Sequence, residues 1–168
     1  MPADKIHQTA NPYYLKFRIG DCHMAISLHQ VWMILDGERV EGINNRNIPH
    51  SIMGKIHFHN RMMPVIDPAD KLPVQTNHMN LLDMCLLMIP ASKGSIEKGF
   101  YGLPVDQVIG KEKIQEKNIQ KGGTVGPYKN PGHNLIGSVL IHDQPFHIVN
   151  PEKLLNSNEL IQFQCAGT

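Results

Sequence analysis

The sequence predicts a mainly β protein with one C-terminal helix, and three observations support this fold class. Apolar residues alternate with polar ones at a period of two, as at Leu15, Phe17 and Ile19. Turn-forming residues recur about every 8–12 residues, which is typical of β-barrels and sandwiches. Only Pro151 to Ile161 carries apolar residues at helical spacing behind a proline. We therefore predict roughly eight to ten short strands and a single helix.

The first part of the chain is expected to form a hairpin, an extended run and a loop. The hairpin joins strands around Phe17 and Met24 through a turn at Gly20 and Asp21. The extended apolar run is Val31 to Leu35, and residues 36–49 form a surface connection. Pro at a first helical position is well tolerated, which favours a short helical turn over Pro49 to Met53.

The stretch from Gly54 to Asp67 is central to any functional interpretation. In an extended chain Ile56 and Phe58 face one way, and His57 and His59 face the other. A polar turn is expected at Asn60 and Arg61, followed by an apolar strand over residues 62–66. The pattern predicts a hairpin with one face in a core and a polar crest, which we define as residues 57 and 59–61.

The second part repeats this alternation of strands and turns. Residues 73–80 form a polar bridge and a candidate subdomain boundary. Residues 111–134 have the weakest pattern, and their charged and glycine-rich segments predict a solvated loop. The remaining predictions are a strand at Leu81 to Ile89, a polar loop at 91–99, strands at Phe100 to Val105 and at Val108 and Ile109, and a hairpin of Leu135 to Ile141 with Phe146 to Val149 that turns at Asp143 and Gln144.

Composition limits the kind of protein this is. The chain of 168 residues has 18% charged residues and a net charge of +1, so neither nucleic acid nor an anionic membrane is the expected partner. No apolar run approaches the roughly 20 residues needed to cross a bilayer, so membrane insertion is not expected. The three cysteines, Cys22, Cys85 and Cys165, are odd in number and widely spaced, which argues against a disulfide framework. We predict a cytoplasmic protein.

Motifs that would carry chemistry are scarce. The sequence has no nucleophile elbow and no phosphate-binding glycine loop. On one strand face His57 and His59 could start a zinc or copper site, but no further ligands can be named, so exposed or interface histidines are favoured. Asp67 and Asp106 are expected to bond a turn or cap a helix. We predict no catalytic residue, metal or cofactor; Trp32 is either core or a partner anchor.

Six motifs in order, from about Tyr14 to Ile161, resemble the CheW family of bacterial chemotaxis coupling proteins. Each motif is weak alone, and the order and spacing carry the resemblance. The motifs are F-R-I-G-D-x-x-M-A-I, V-W-M-I, I-P-H-S-I-M-G-K-I-H-F, P-V-I-D, G-L-P-V-D-Q-V-I and I-V-N-P-E-K-L-L-N-S.

The resemblance implies two packed five-stranded SH3-like β-barrels over residues 13–163, with no catalytic site. One subdomain would span 13–72 with a C-terminal segment, the other 81–140, and residues 1–12 and 164–168 would be tails. The family's role implies a scaffold that joins the tip of a methyl-accepting chemoreceptor to the regulatory domain of a CheA-type histidine kinase. The implied partner-binding residues are Val31, Met33, Ile56, His57, Phe58, His59, Asn60 and Arg61.

This chain departs from the family pattern at those positions. The family's asparagine-leucine-arginine-glycine motif at the hairpin tip is here His57 to Asn60, with His59 for the usual arginine and Asn60 for the glycine. On the other segment, Met33 replaces a usual glutamate. Asn tolerates a positive φ, so the turn can survive, while the charged contact is lost or moved to Arg61. Two alternatives therefore stay open: a CheW-fold module with another partner, for example in pilus-motility signalling, and a metal-binding or enzymatic protein using the histidine pair.

Overall fold

Two curled β-sheets make up the fold, which confirms the predicted all-β class. The computed structural model describes residues 12–75, 80–92, 95–121 and 134–166, with side chains 92 and 95–98 not described. Of the predicted tails at 1–12 and 164–168, residues 1–11 and 167–168 lie outside these residues, as does half of the predicted loop at 111–134. Residues 164–166, predicted as tail, belong to the C-terminal helix. The strands and helices are β1 Tyr13–Ile19, β2 Cys22–Ser27, β3 Met33–Asp36, β4 Glu41–Gly42, β5 Ile52–Phe58, β6 Arg61–Ile66, α1 Pro68–Lys71, β7 Cys85–Ser92, β8 Ser95–Val105, β9 Gln107–Lys113, β10 Leu135–Ile141, β11 Gln144–Val149 and α2 Ser157–Ala166.

The sheets are built mainly from antiparallel neighbours. The first sheet has the five-stranded order β10-β11-β2-β1-β9, and the second has the six-stranded order β3-β7-β8-β6-β5-β4. Its sixth strand, β4, is a two-residue addition to the five strands per barrel that the resemblance implied. Among the strands that the structure describes, only β11 with β2 and β6 with β8 pair in parallel. Each sheet contains strands from both sides of residues 73–80.

Three apolar clusters hold the sheets together. One fills the inside of the first sheet, one fills the inside of the second, and the largest contains residues from both sheets. Strand β7 contributes to two of these clusters: Leu86 and Met88 join the inner cluster of the second sheet, and Leu87 and Ile89 join the cluster shared by both sheets. A strand buried on both faces needs a continuous apolar run rather than an alternating one, and this is what the sequence has there.

The turns of two hairpins begin one residue earlier than the sequence suggested. The β5–β6 turn is His59 and Asn60, with φ of 48° and 59°, rather than Asn60 and Arg61. The β10–β11 turn is His142 and Asp143, with φ of 49° and 64°. A two-residue hairpin loop of this kind requires positive φ at both central positions. His, Asn and Asp are the non-glycine residues that tolerate it best.

The predicted C-terminal helix exists but begins later than proposed. Pro151–Lys153 is a 3₁₀ turn, and α2 starts only at Ser157. A reciprocal cap explains the start: the Glu159 N–H donates to Asn156 Oδ1 at 2.8 Å, and the Asn156 N–H donates to Glu159 Oε1 at 3.2 Å.

Other boundaries were also misplaced by the sequence, since β8 begins at Ser95, inside the predicted loop at 91–99, and β9 extends to Lys113, inside the predicted loop at 111–134. Residues Leu81–Asp83 form a 3₁₀ turn, so β7 begins only at Cys85. In place of a helix after Pro49, a single hydrogen-bonded turn leads into β5, with the Ile52 N–H donating to the Pro49 carbonyl at 3.0 Å.

Asp67 and Asp106 cap a helix and bond a turn, as their positions predicted. Asp67 caps α1, accepting the Ala69 N–H at 3.0 Å. Asp106 Oδ2 accepts the Gly20 N–H at 2.5 Å, and the Asp106 N–H donates to the Arg18 carbonyl at 2.9 Å. The carboxylate thus ties the β8–β9 turn to the β1–β2 turn, where Gly20 has a φ of 57°.

Candidate protein-interaction surface

The crest projects from the end of the second sheet on a buried base. Ile56 and Phe58 are 1% and 7% exposed and belong to the inner cluster of that sheet. His57, His59 and the other crest positions 60 and 61 are exposed. The predicted division into a core face and a polar crest is confirmed, although His59 lies in the turn and not on the strand.

Strand β3 exposes an apolar surface at the edge of the same sheet. Trp32, Met33 and Ile34 are 57%, 43% and 44% exposed, which is high for large apolar side chains. Val31, just before the strand, is half-buried and packs against the shared cluster. Trp32 therefore lies at the surface and is not a core residue.

Phe100 connects these two regions. Its ring centroid lies 5.7 Å from that of Trp32 and 5.1 Å from that of Phe58, both in edge-to-face geometry. The ring centroid of His59 lies 4.3 Å from that of Phe58, also in edge-to-face geometry. Such pairs are worth about 0.5–1.5 kcal/mol each beyond their buried area. The two separate sequence segments predicted to bind partners thus share one aromatic cluster.

Sequence reasoning did not find Phe100. It lies in β8, a long way along the chain from the crest, and its own N–H donates to the Met63 sulfur at 3.2 Å. Nothing local in the sequence distinguishes it from any other core aromatic. Only the curling of the second sheet places it between β3 and the crest.

An open cavity of about 220 Å³ lies beside the crest, between β6 and α2. Its walls are mainly apolar and include two methionines, with Arg61 and Gln164 as polar residues. The lining residues are Arg61, Met62, Met63, Pro64, Leu160, Phe163 and Gln164.

The histidine pair does not form a metal site in the part of the chain that is described. His59 occupies the turn while His57 is on β5, so the expectation that one strand face presents both imidazoles is wrong. Among residues 12–75, 80–92, 95–121 and 134–166, no three His, Cys, Asp or Glu side chains are grouped to hold a metal ion.

A buried charge cluster fixes α2 near this surface. Glu159 is a buried residue, and its carboxylate accepts hydrogen bonds from Lys71 Nζ at 2.6 Å and from Ser51 Oγ. Burial alone would raise the pKa of this carboxyl, but the bonds from Lys71, Ser51 and the Asn156 N–H bring the pKa below its usual value. Glu159 therefore carries a negative charge that joins α2 to α1 and to the start of β5.

Comparison with known proteins identifies the class to which this β scaffold belongs. Residues 13–159 match the family described as CheW-like domain. That match spans most of the chain, and the protein belongs to the CheW-like domain family, whose members are scaffolds or adaptors and generally not enzymes.

A solved structure has the same fold. The crystal structure of scaffolding protein TtCheW from Thermoanaerobacter tengcongensis superposes with a TM-score of 0.72 and 18% identity, covering 92% of this chain and 94% of that one. No curated protein sequence matches this chain. Within the described residues, no helix has the length and apolar character required to span a membrane.

Proposed function

We propose that this protein is a non-enzymatic adaptor that couples chemoreceptors to a CheA-type histidine kinase in bacterial chemosensory signalling. Its partners would be the receptor's cytoplasmic tip and the kinase's regulatory domain, and its place the cytoplasm. The observation that carries the proposal is the shared aromatic cluster, in which Phe100 links β3 to the crest. An adaptor needs only to hold two partners so that a change in one biases the other.

The predicted partner-binding residues take two roles in this proposal. Met33, His57, His59, Asn60 and Arg61 are exposed and would touch a partner directly. The others, Ile56 and Phe58, are buried, and would act by supporting the crest from below, with Val31 half-buried beside them. Trp32 joins the contact set because large exposed aromatics dominate the energy of protein interfaces.

A second candidate function is a CheW-fold module that binds a different protein, as in a pilus-motility system. The composition of the crest favours it. An arginine at position 59 would offer a planar fork of donors that is always charged, whereas the imidazole of His59 offers one or two donors. A partner that recognises the family's arginine would lose that contact here.

Binding to purified fragments tests the adaptor role. We expect this protein to bind the regulatory domain of the cognate kinase and the cognate receptor tip in calorimetry or pull-down. Trp32→Ala should weaken at least one of these complexes by about tenfold or more, the loss typical of an interface hot spot. Leu140→Ala is the matched control, since Leu140 is 66% exposed but lies on β10 of the other sheet. Failure to bind either fragment would remove the coupling role and leave the fold assignment intact.

Restoring the family residue separates the two candidate functions. If the crest still serves the usual partners, His59→Arg should keep or strengthen binding that the unmodified chain already shows. Binding that appears only in His59→Arg would instead favour the diverged module.

A further inference from the structure

Three of the four outer strands of the two sheets have features that protect a sheet edge. Strand β9 carries Lys111 and Lys113, and β4 is only two residues long and contains Glu41. Strand β10 is covered at its centre, where Gln120 and Ser138 exchange main-chain hydrogen bonds of 2.8 and 3.0 Å. Charge, shortness and cover are the usual devices that prevent another strand from pairing with an edge.

Strand β3 lacks these devices over most of its length. Neither lysine nor proline occurs in residues 32–36, and the exposed side chains at 32–34 are large and apolar. In the part of the chain that the structure describes, β3 pairs only with β7.

The register shows which main-chain groups of β3 are available. The Gly37 N–H donates to the Met84 carbonyl at 2.9 Å, and Met33 lies opposite Met88. Hydrogen-bonded positions alternate along an antiparallel pair. The main-chain groups at 33, 35 and 37 therefore face β7, and those of Ile34 and Asp36 face away from it.

We propose that β3 binds an extended segment of a partner protein, which adds a strand to the second sheet. Outward-facing N–H and C=O groups are what an extended peptide recognises at an open edge. In the partner segment, the side chain opposite Ile34 would be apolar and the side chain opposite Asp36 would be Lys or Arg. The cation is expected because Asp36 is exposed and has no ion pair among the described residues. This inference rests on the proposed adaptor function, since β3 is part of the same surface.

The charge on Asp36 favours such a partner over a second copy of this chain. A symmetric antiparallel pairing centred on Leu35 would place Ile34 of each copy beside Asp36 of the other. That arrangement provides no cation for either carboxylate, whereas opposite charges directly across a pair of strands are stabilising.

The test uses the full chain and a blocked peptide of alternating threonine and valine with one central lysine. At millimolar peptide, NMR should show shifted and more slowly exchanging amides at Ile34 and Asp36. The amides at Met33 and Leu35, which face β7, should be protected with and without peptide. Emission from Trp32, the single tryptophan of the chain, should change in parallel. A version of the peptide with N-methylated amides should not bind.

Two charge-reversal variants supply the matched comparison. Asp36→Lys should weaken binding of the lysine peptide by about threefold to fivefold, the scale of a cross-strand ion pair. Glu41→Lys makes the same change of charge at the opposite edge of the sheet and should leave binding unchanged.

Three results would overturn the inference. The first is the absence of any effect at the Ile34 and Asp36 amides, and the second is equal binding of the N-methylated peptide. The third is protection of these amides that depends on protein concentration without peptide, which would assign the edge to a second copy. None of these outcomes prevents capture of the kinase or receptor fragments, so failure of strand addition and failure of the adaptor role are distinguishable.

Discussion

Replacing Glu159 with glutamine tests how the C-terminal helix is held against the sheets. Gln can replace Glu in a reciprocal helix cap, so Glu159→Gln keeps the cap with Asn156 through its amide oxygen and removes the charge. The atom that faces Ser51 Oγ becomes an amide N–H donor, which the serine hydroxyl can accept. Lys71 then keeps its ammonium group next to a neutral amide. The two side chains are only 14% and 11% exposed, so water replaces little of what is lost.

We expect Glu159→Gln to lower the free energy of unfolding by a large amount for so small a change. Breaking a fully buried ion pair by removing one partner costs about 3–5 kcal/mol. Because Lys71 keeps some contact with solvent, we expect a loss of about 2–3 kcal/mol in the free energy of unfolding. For a chain of this size that loss lowers the melting temperature by about 5–10 °C. Urea unfolding at neutral pH and calorimetry measure both quantities.

The pH dependence supplies an independent check on the cause. The folded-state pKa of Glu159 lies below its ordinary value of 4.5. Its stabilisation is therefore complete above the unfolded-state pKa and is lost as the pH falls through the folded-state pKa. The difference between the unmodified chain and Glu159→Gln should be largest near neutral pH and should shrink in acid.

A surface ion pair provides the control. Glu116 and Lys121 are 3.5 Å apart, but their side chains are 76% and 64% exposed. Glu116→Gln makes the same chemical change, and an exposed pair typically contributes no more than about 1 kcal/mol. Equal stability of the two variants, or a Glu159→Gln deficit that does not change with pH, would refute the charge-based explanation.

Three further substitutions test other contacts of the fold. Tyr101→Phe removes a buried hydroxyl that donates to the Pro151 carbonyl at 2.5 Å and should cost about 1–3 kcal/mol in urea unfolding, since the carbonyl loses its partner; an unchanged midpoint would exclude this bond as a stabilising contact. Gly37→Ala would place a Cβ in steric clash with the Leu81 carbonyl oxygen, so we expect at least about 1–3 kcal/mol of destabilisation from forced backbone movement, and an equally stable variant would contradict that. Burial lowers the pKa of His147 from 6.5, so the folded protein is not penalised by this residue above pH 6.5 and loses stability below it, where the histidine is protonated more readily in the unfolded chain. In His147→Leu the melting temperature should therefore fall less steeply between pH 6.5 and 5, and an unchanged slope would argue against this explanation.

The sequence was sufficient for the class of fold because its local signals agree with the tertiary packing. Alternation at Leu15, Phe17 and Ile19 places these side chains in the shared core. The unbroken apolar run of β7 corresponds to a strand buried on both faces. Boundaries were predicted less well, because a turn such as His59 and Asn60 depends on which residues can take positive φ, and α2 begins at a cap that competes with the earlier proline.

The candidate interaction surface was likewise predicted only in part from the sequence. The pattern of residues 54–61 determined that Ile56 and Phe58 are inside and that the histidines are outside, since a strand presents alternate residues to opposite faces. The family relationship is likewise carried by the ordered motifs. The sequence left the position of Trp32 open, since an apolar residue in an extended run can face either a core or an edge.

Only the tertiary structure decided how these parts combine. It placed β3 at an open edge, put Phe100 between Trp32 and Phe58, and linked Glu159 to Lys71 and Ser51. All of these contacts join residues far apart in the chain, and strand order is fixed by pairing and burial across the whole molecule. Periodicity along the sequence specifies which face of a strand is apolar, but it carries no information on which strand becomes an edge or which distant ring will cover that face.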